Sequence, residues 1–433
     1  MTIKDLRAKA IENQYEYLTE KHVIRPSHSH YQLLDAYSHK ANNLYNESQY
    51  LIKQAFRKSK WLNYNALEKQ LKAARNDKSN MIYNLLGHTH LTQQILKQVT
   101  STMESWQKAN KAYKKNPSRF TGRPRIPKYK KKGGQSTLFV DNQTAKLKNG
   151  YVVIPTLNNL TIKLFHETDK IQQVRIVPKH KVFIVEIVYK TNHEISYLPD
   201  NGRYLSIDPG LDNAFTLVSN VPDVTPAVIN GKALKAYNQY WNKRKAHLTS
   251  IYDRLNQSYA SHKMTVLNKN RYFKLDKFAH EASSYIIKYA TSHALNTIVI
   301  GYAKSLKRSS NMGKRNNQNF ISIPHKEMID KITYKANLAG IAVITTEEKY
   351  TSQTSFLDDE DPCYDNGNHA RQANGLSPAK RRVHRGLFKS DKGILINADV
   401  NGAYQILKKV VPNAYADGIA RCGLHPFKVN LDF

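Results

Sequence analysis

RYLSIDPGLDNAFTLVS, residues 203–219, marks the point where the chain changes character. An apolar run, Tyr204 to Ile207, ends in Asp208. Pro209 and Gly210 then break it, and a second β-rich run, Ala214 to Val218, follows. The stretch reads as a strand, a turn and a second strand. From here on the pattern is α/β. A long helical region covers 232–296, and TIVIG (297–301) and IAVITTEE (341–348) are two more β-rich runs with a helix between them at about 324–339. ADVNGAYQILKKVV (398–411) reads as a helix, with Val400, Ala403, Tyr404, Leu407 and Val411 on its apolar face. Polar, turn-rich sequence fills 351–393 and carries a basic cluster, KRRVHRGLFK, at 380–389.

Upstream the periods differ. In YQLLDAYSHKANNLYNESQYLIKQAF, Leu33, Leu34, Tyr37, Ala41, Leu44 and Tyr45 recur at helical spacing. No Pro or Gly falls between Ser27 and Leu86, which favours long helices over 30–115, the second from about 88. Residues 136–200 read as short strands, STLFVDNQ, YVVIPTL, LTIKLF, QVRIVPK and KVFIVEIVYK, and predict a small β-barrel or sandwich.

The net charge of this 433-residue chain is +33, an electrostatic footprint for a polyanion. A basic membrane-surface protein would want an amphipathic basic helix or a lipidation site, and neither is seen; no stretch approaches the length of a membrane span. The expectation is a soluble protein of the bacterial cytoplasm. Two cysteines, Cys363 and Cys422, support neither a disulfide framework nor a cysteine zinc site. QKANKAYKKNPSRFTGRPRIPKYKKKG, residues 107–133, holds eleven Lys or Arg and no acid. Mutually repelling charges have no use in a plain linker, so this segment, with Lys128, Lys130, Lys131 and Lys132, reads as an arm facing nucleic acid. The 27 tyrosines suit base stacking among such cations, although many are expected to be simply half-buried.

Two carboxylates stand at structural boundaries. Asp208 closes a strand and Asp399 opens the last helix. Either alone is more often a turn residue, or a helix N-terminal carboxylate favoured by the dipole, than a catalyst. Their surroundings change the weighing. IDPGLDNAFTL, IVIG and NADVNGAYQIL occur in an order that resembles the RuvC-like nuclease domain of the TnpB family, transposon-encoded RNA-guided nucleases related to type V CRISPR effectors. AYKKNPSRFTGRPRIPKYKKK, YTSQTS (350–355) and HRGLFKSDKGILINADVNGAYQIL resemble further segments of that family, so the likeness spans nearly the whole chain.

The resemblance implies a multidomain α/β protein with an RNase H-like (RuvC) nuclease domain at 201–433, carrying a target-nucleic-acid-binding insert at about 350–393. It implies a β-barrel wedge domain from 1–29 and 116–200, with a helical recognition domain inserted at 30–115. It implies a guide RNA and double-stranded target DNA as partners, and three acids holding two Mg²⁺ ions for phosphodiester cleavage. The first acid maps to Asp208 and the last to Asp399, but the middle one maps to Gly301. IAVITTEE would be the parallel neighbour of the strand ending at Gly301, only about 4.8 Å away. Part of the family resembles this chain in carrying its Glu just ahead of the YTS segment, so the resemblance implies Glu348, two residues before Tyr350, as the replacement; strand alternation lets only one of Glu347 and Glu348 face the metals. A solvated acidic strand end is the plainer reading of that pair. Where the family often carries a four-cysteine zinc ribbon, Ser355 takes the first Cys position and Cys363 has no partner. His369 and His384 read as surface residues, so no structural zinc is expected. Lys380, Arg381, Arg382 and Arg385 are expected on target DNA. Two other classes stay open: a nuclease-dead RNA-guided repressor and a strand-transfer enzyme.

Overall fold

The computed structural model describes residues 2–12, 17–74, 82–168, 170–190, 195–256, 261–302, 323–348, 351–362, 381–384, 386–416 and 418–432. The chain divides into two compact units, Met1–Tyr15 with Glu194–Phe433, and Glu16–His193.

The larger unit is built on a mixed sheet. Strands β8 (Tyr204–Pro209), β9 (Asn213–Ser219) and β10 (Ala227–Asn230) form an antiparallel meander. Strand β11 (Thr297–Gly301) adds parallel to β8, and β12 (Ala342–Thr346) adds parallel to β11. With β13 (Phe427–Val429) beside β10, the order is β12-β11-β8-β9-β10-β13. Both faces are covered, which is why these strands read as continuous apolar runs. Leu205, Ile207, Ile298 and Ile300 pack against Phe278, Ala282 and Ile286 of α6 (His262–Ser292) and Ile329 and Ile332 of α7 (His325–Leu338). The alternate residues Tyr204, Val299 and Ile344 meet Ile406, Leu407 and Val410 of α8 (Ala398–Val410). Helix α5 (Lys232–Arg254) precedes α6. Because β8, β11 and β12 run parallel, Asp208, Gly301 and the residues just beyond Thr346 come to one edge of the sheet.

Helix α1 (Ile3–Glu12) belongs with this sheet. The sequence reading puts residues 1–29 wholly in the β-domain. Instead Ile3, Leu6 and Ala10 pack on the Val299–Ile344–Leu407 cluster, and Arg7 donates to Thr297 Oγ1 at 3.2 Å. The apolar face of a ten-residue helix needs a partner to be stable, and this sheet supplies it.

In the smaller unit, β1 (Tyr17–Ile24) pairs along its whole length with β7 (Val182–Lys190), giving the sheet β1-β7-β6-β2. Here β6 is Ile171–Lys179 and β2 is Leu138–Asp141. Strands β3 (Lys146–Lys148), β4 (Tyr151–Ile154) and β5 (Leu160–Lys163) form a second sheet. Among the described residues, hydrogen bonds do not close the two into one barrel. Strand β2 pairs directly with β6, so the segment between them pairs with itself and joins the core through Val152, Ile154 and Ile162. Helices α2 (Tyr31–Arg57), α3 (Tyr64–Ala73) and α4 (Thr89–Lys115) share that core through Leu34, Leu44, Ile52, Leu67, Ile95 and Val99. Helical segment and strands are thus one folding unit rather than two.

The basic arm is held by one stripe of α2. His39, Asn42, Asn46 and Gln49, spaced three, four and three residues apart, face the same way. Asn42, Asn46 and Gln49 donate to the carbonyls of Lys131, Lys130 and Pro127 at 2.9, 3.0 and 3.1 Å. Asn46 Oδ1 also accepts from the Lys130 amide at 2.8 Å, and the His39 ring lies 2.9 Å from the Gly134 carbonyl. An extended, proline-broken segment has no ladder partner of its own, and these side chains satisfy its main chain instead. Asn46→Ala leaves two Lys130 main-chain groups unmet, a loss of about 1–3 kcal/mol for the local structure. The amides of residues 128–134 should then exchange hydrogen faster while the α2 amides do not.

Candidate active site

Asp208 is the penultimate residue of β8, and Asp399 lies in the first turn of α8. Asn397 starts that helix by accepting from the amides of Asp399 and Val400 at 3.0 and 3.1 Å, and a carboxylate in the first turn suits the helix dipole. Asn213, four residues after the Pro-Gly turn begins, donates to Asp399 Oδ2 at 2.6 Å and fixes the carboxylate's direction. Helix α8 sits close on the sheet: Ser206 Oγ donates to the Ala403 carbonyl at 2.7 Å. Gly402 permits this approach, since a Cβ there would stand 3.1 Å from Asp208 Oδ2.

Gly301 faces the same helix. A Cβ on it would lie 2.5 Å from Ile406 Cδ1 and 3.3 Å from Glu348 Cβ. The space where a side chain at 301 would begin is therefore filled by Ile406, which is fully buried, and by the stem of Glu348. Gly301 is opposite Thr346 in the parallel pair, and the Tyr302 amide donates to the Thr346 carbonyl at 2.8 Å. Glu348 follows two residues later and keeps the parity of Ile344 and Thr346, toward α8. Glu348 is half-buried and Glu347 exposed. A glutamate introduced at 301 would have to displace both Ile406 and Glu348.

The electrostatics are those of unneutralised like charges. Burial, and then the negative charges of Glu348 and Asp399, push the Asp208 carboxyl well above the usual carboxylate range, with Arg382 pulling the other way. Burial pushes Glu348 up to about 7 against the pull of Lys409. Asp212, in the same sequence motif, is instead paired with Lys235 at 2.6 Å and takes no part. Carboxylate oxygens of this kind suit hard divalent cations. Among the described residues, no group of three or more His, Cys, Asp or Glu is gathered closely enough to hold a metal ion. The donor chemistry of Asp208, Glu348 and Asp399 fits such an ion.

The basic residues divide. Lys128, Lys131 and Lys132 are exposed. Lys130, expected on phosphate with them, turns inward: its ammonium lies 3.7 Å from the centre of the Tyr45 ring and donates to Ser136 Oγ at 2.8 Å, and burial lowers its pKa to about 8. Arg381 is likewise corrected. Only 2% exposed, it donates to Glu360 at 2.6 Å and to both oxygens of Asp391 at 2.8 Å, with Asp358 at 3.9 Å. A guanidinium committed to three acids has no face left for DNA. Glu360 also accepts from the Ser355 amide at 2.7 Å, so Arg381 closes the turn at 355–360. Asn401 of α8 ties this turn down, donating to the Thr354 carbonyl at 2.8 Å and accepting from the Phe356 amide at 2.9 Å. Arg382, half-buried, brings its charge near Asp208, and His384 is exposed. Lys380, Arg385, Cys363 and His369 lie outside the described residues.

Residues 186–307 match the OrfB_IS605 family model, described as a probable transposase, and residues 325–406 match that of the Cas12f1-like TNB domain. The two matched segments support a TnpB/Cas12f-like family. No curated protein matches it. Among solved structures, a Cas12f1–sgRNA–target DNA complex is similar at 16% identity and a TM-score of 0.35, over 90% of this chain and 98% of that one. A CRISPR–Cas12f ternary complex is similar at 14% and 0.36, over 87% and 80%.

Two outcomes test the site. Glu348 and Asp208 hold protons in the folded chain at a pH where the unfolded chain has lost them. Folding then binds protons, so stability falls as pH rises from the ordinary carboxylate range to about 7. In EDTA the melting temperature should drop across that window, and Glu348→Gln should flatten the drop. Arg381→Met, which strands Glu360 and Asp391 without their cation, should cost about 3–5 kcal/mol in chemical denaturation.

Proposed function

We propose that the chain is an RNA-guided DNA endonuclease of the TnpB/Cas12f type, cleaving by metal-dependent phosphodiester hydrolysis beside a short adjacent motif. The observation that carries this reading is the stem of Glu348, 3.3 Å from where a side chain on Gly301 would begin, on the sheet edge that also carries Asp208. An acid missing from one parallel strand is supplied by the next. The strand order β12-β11-β8-β9-β10 supports an RNase H-like (RuvC) nuclease core. The +33 charge and the outward Lys128, Lys131 and Lys132 support binding of guide RNA and target DNA, whose sequence is then read by base pairing. In this reading the two-sheet unit serves as the wedge, α2–α4 as the recognition segment, and residues 350–393 as the target-facing insert.

Asp208, Glu348 and Asp399 would hold Mg²⁺. Such ions supply Lewis acidity and a nucleophilic water at neutral pH. The protein's own part is positional. Asn213 orients the Asp399 carboxylate, and the Ser206 hydrogen bond keeps α8 seated on β8. Arg382, near Asp208, offsets charge on an incoming phosphate. A divalent cation bound there would favour the ionised forms of Asp208 and Glu348, whose pKa values burial raises.

The test uses full-length protein co-purified with its RNA and a plasmid library carrying a guide-matched target beside randomised bases. Mg²⁺-dependent cuts enriched for one flanking motif are expected, and EDTA should abolish them. Glu348→Gln should bind target as the wild type does, cut at least about 10²-fold more slowly, and bind Mn²⁺ more weakly by electron paramagnetic resonance. Full cleavage by this variant would remove Glu348 from the site. Guide-dependent binding by the wild type without any cleavage would point to a repressor.

A further inference from the structure

Beside the basic arm lies an open cavity of about 750 Å³ that no part of the mechanism uses. Phe56, near the end of α2, and Trp106 of α4 form its aromatic wall, edge to face with ring centres 5.4 Å apart. Phe56 is 41% exposed, so part of its ring is open to the cavity. The indole nitrogen is already occupied, donating to the Pro124 carbonyl at 3.2 Å, so the wall is rigid. Arg123, Arg125 and Lys128 complete the lining. All three are exposed, and none forms an ion pair with a described residue. Their charge is uncompensated in sequence too, since 107–133 contains no acid.

One polar atom stands out against this apolar lining. Asn110 lines the cavity, and its side-chain Oδ1 is buried with no hydrogen-bond partner. An unmet buried acceptor favours a ligand that brings a donor. Flat aromatic faces, a lone acceptor and a cationic rim together match a nucleotide whose base carries an amino group. An apolar peptide side chain would satisfy neither the acceptor nor the rim.

We propose that this cavity receives one unstacked, amino-bearing nucleobase of a single-stranded nucleic acid, with the flanking phosphates on Arg123, Arg125 and Lys128. The inference rests on the proposed nucleic-acid binding and adds a base-holding site to it. The amide stripe of α2 serves this site, because Gln49 fixes Pro127 and so presents Arg125 and Lys128 on an ordered main chain. An arm already ordered loses less entropy on binding.

Full-length protein, freed of co-purified RNA by high salt, is titrated with 12-nucleotide strands, each made as DNA and as RNA. One version carries 2-aminopurine at its centre, one unsubstituted purine there, and one an abasic site with the same phosphates. The wild type should quench 2-aminopurine fluorescence and bind that strand about tenfold more tightly than the abasic one, the scale of one stacked base. The DNA and RNA arms say which strand supplies the base. Asn110→Leu should erase the preference for 2-aminopurine over unsubstituted purine while leaving the salt dependence of binding unchanged. Phe56→Leu, at a half-exposed position that spares the core, should weaken the quenching. Tight binding with no difference between base and abasic strands would overturn the proposal, leave nucleic-acid binding standing, and assign the cavity to an apolar partner. Failure to bind any strand would overturn both.

Discussion

The close seating of α8 on the sheet is the constraint on which the active edge depends. Two glycines make it possible. Gly402 lets the helix backbone come within reach of Asp208, and Gly301 lets Ile406 settle onto β11. With the helix at that height, Ser206 reaches the Ala403 carbonyl, and Asp399 comes under Asn213. The same contact leaves no room for a side chain at 301. In the proposed site the third acid comes from outside β11, and the neighbouring parallel strand is the nearest source.

This arrangement gathers negative charge where water is scarce. Asp208 is opposed by its own burial and by two other carboxylates, and Glu348 by burial. A fold selected for stability alone would pair these groups with cations, as it does for Asp212 with Lys235. Burying them with their charges only partly offset by Arg382 and Lys409 is the kind of local cost that functional sites carry.

The two basic segments meet opposite fates for one reason, the hydrogen-bonding demand of irregular backbone. At 127–134 the side chains of α2 satisfy the arm's main chain, and the lysines, Lys130 excepted, are left to face outward. At 355–360 the turn is closed by Glu360, and Arg381 is drawn in to neutralise it with Asp391. A lysine or arginine in a basic run is thus not a phosphate ligand by composition alone. It becomes one where something else has already taken care of the backbone and the nearby acids.

Much of the architecture was legible in the chain. TIVIG is β11 to the residue, and the helices read at 324–339 and 398–411 are α7 and α8 within one residue at each end. Long runs with one strong period, bounded by breakers, leave little choice. Asp208 and Asp399 were visible at element ends, but their weight as site candidates, and the choice of Glu348 over Glu347, came from the family resemblance. Helix α1 and strand β1 were not legible, since neither has a strong period and each is stabilised by a distant partner. The inward turn of Lys130 and Arg381 and the service of Asn42, Asn46 and Gln49 to the arm were equally hidden. Sequence by itself determined local periods, breakers and the charge balance, because those depend on neighbours along the chain. Only the tertiary structure decided which charges are spent inside and why residue 301 is bare, because both depend on atoms brought together from positions far apart in the sequence.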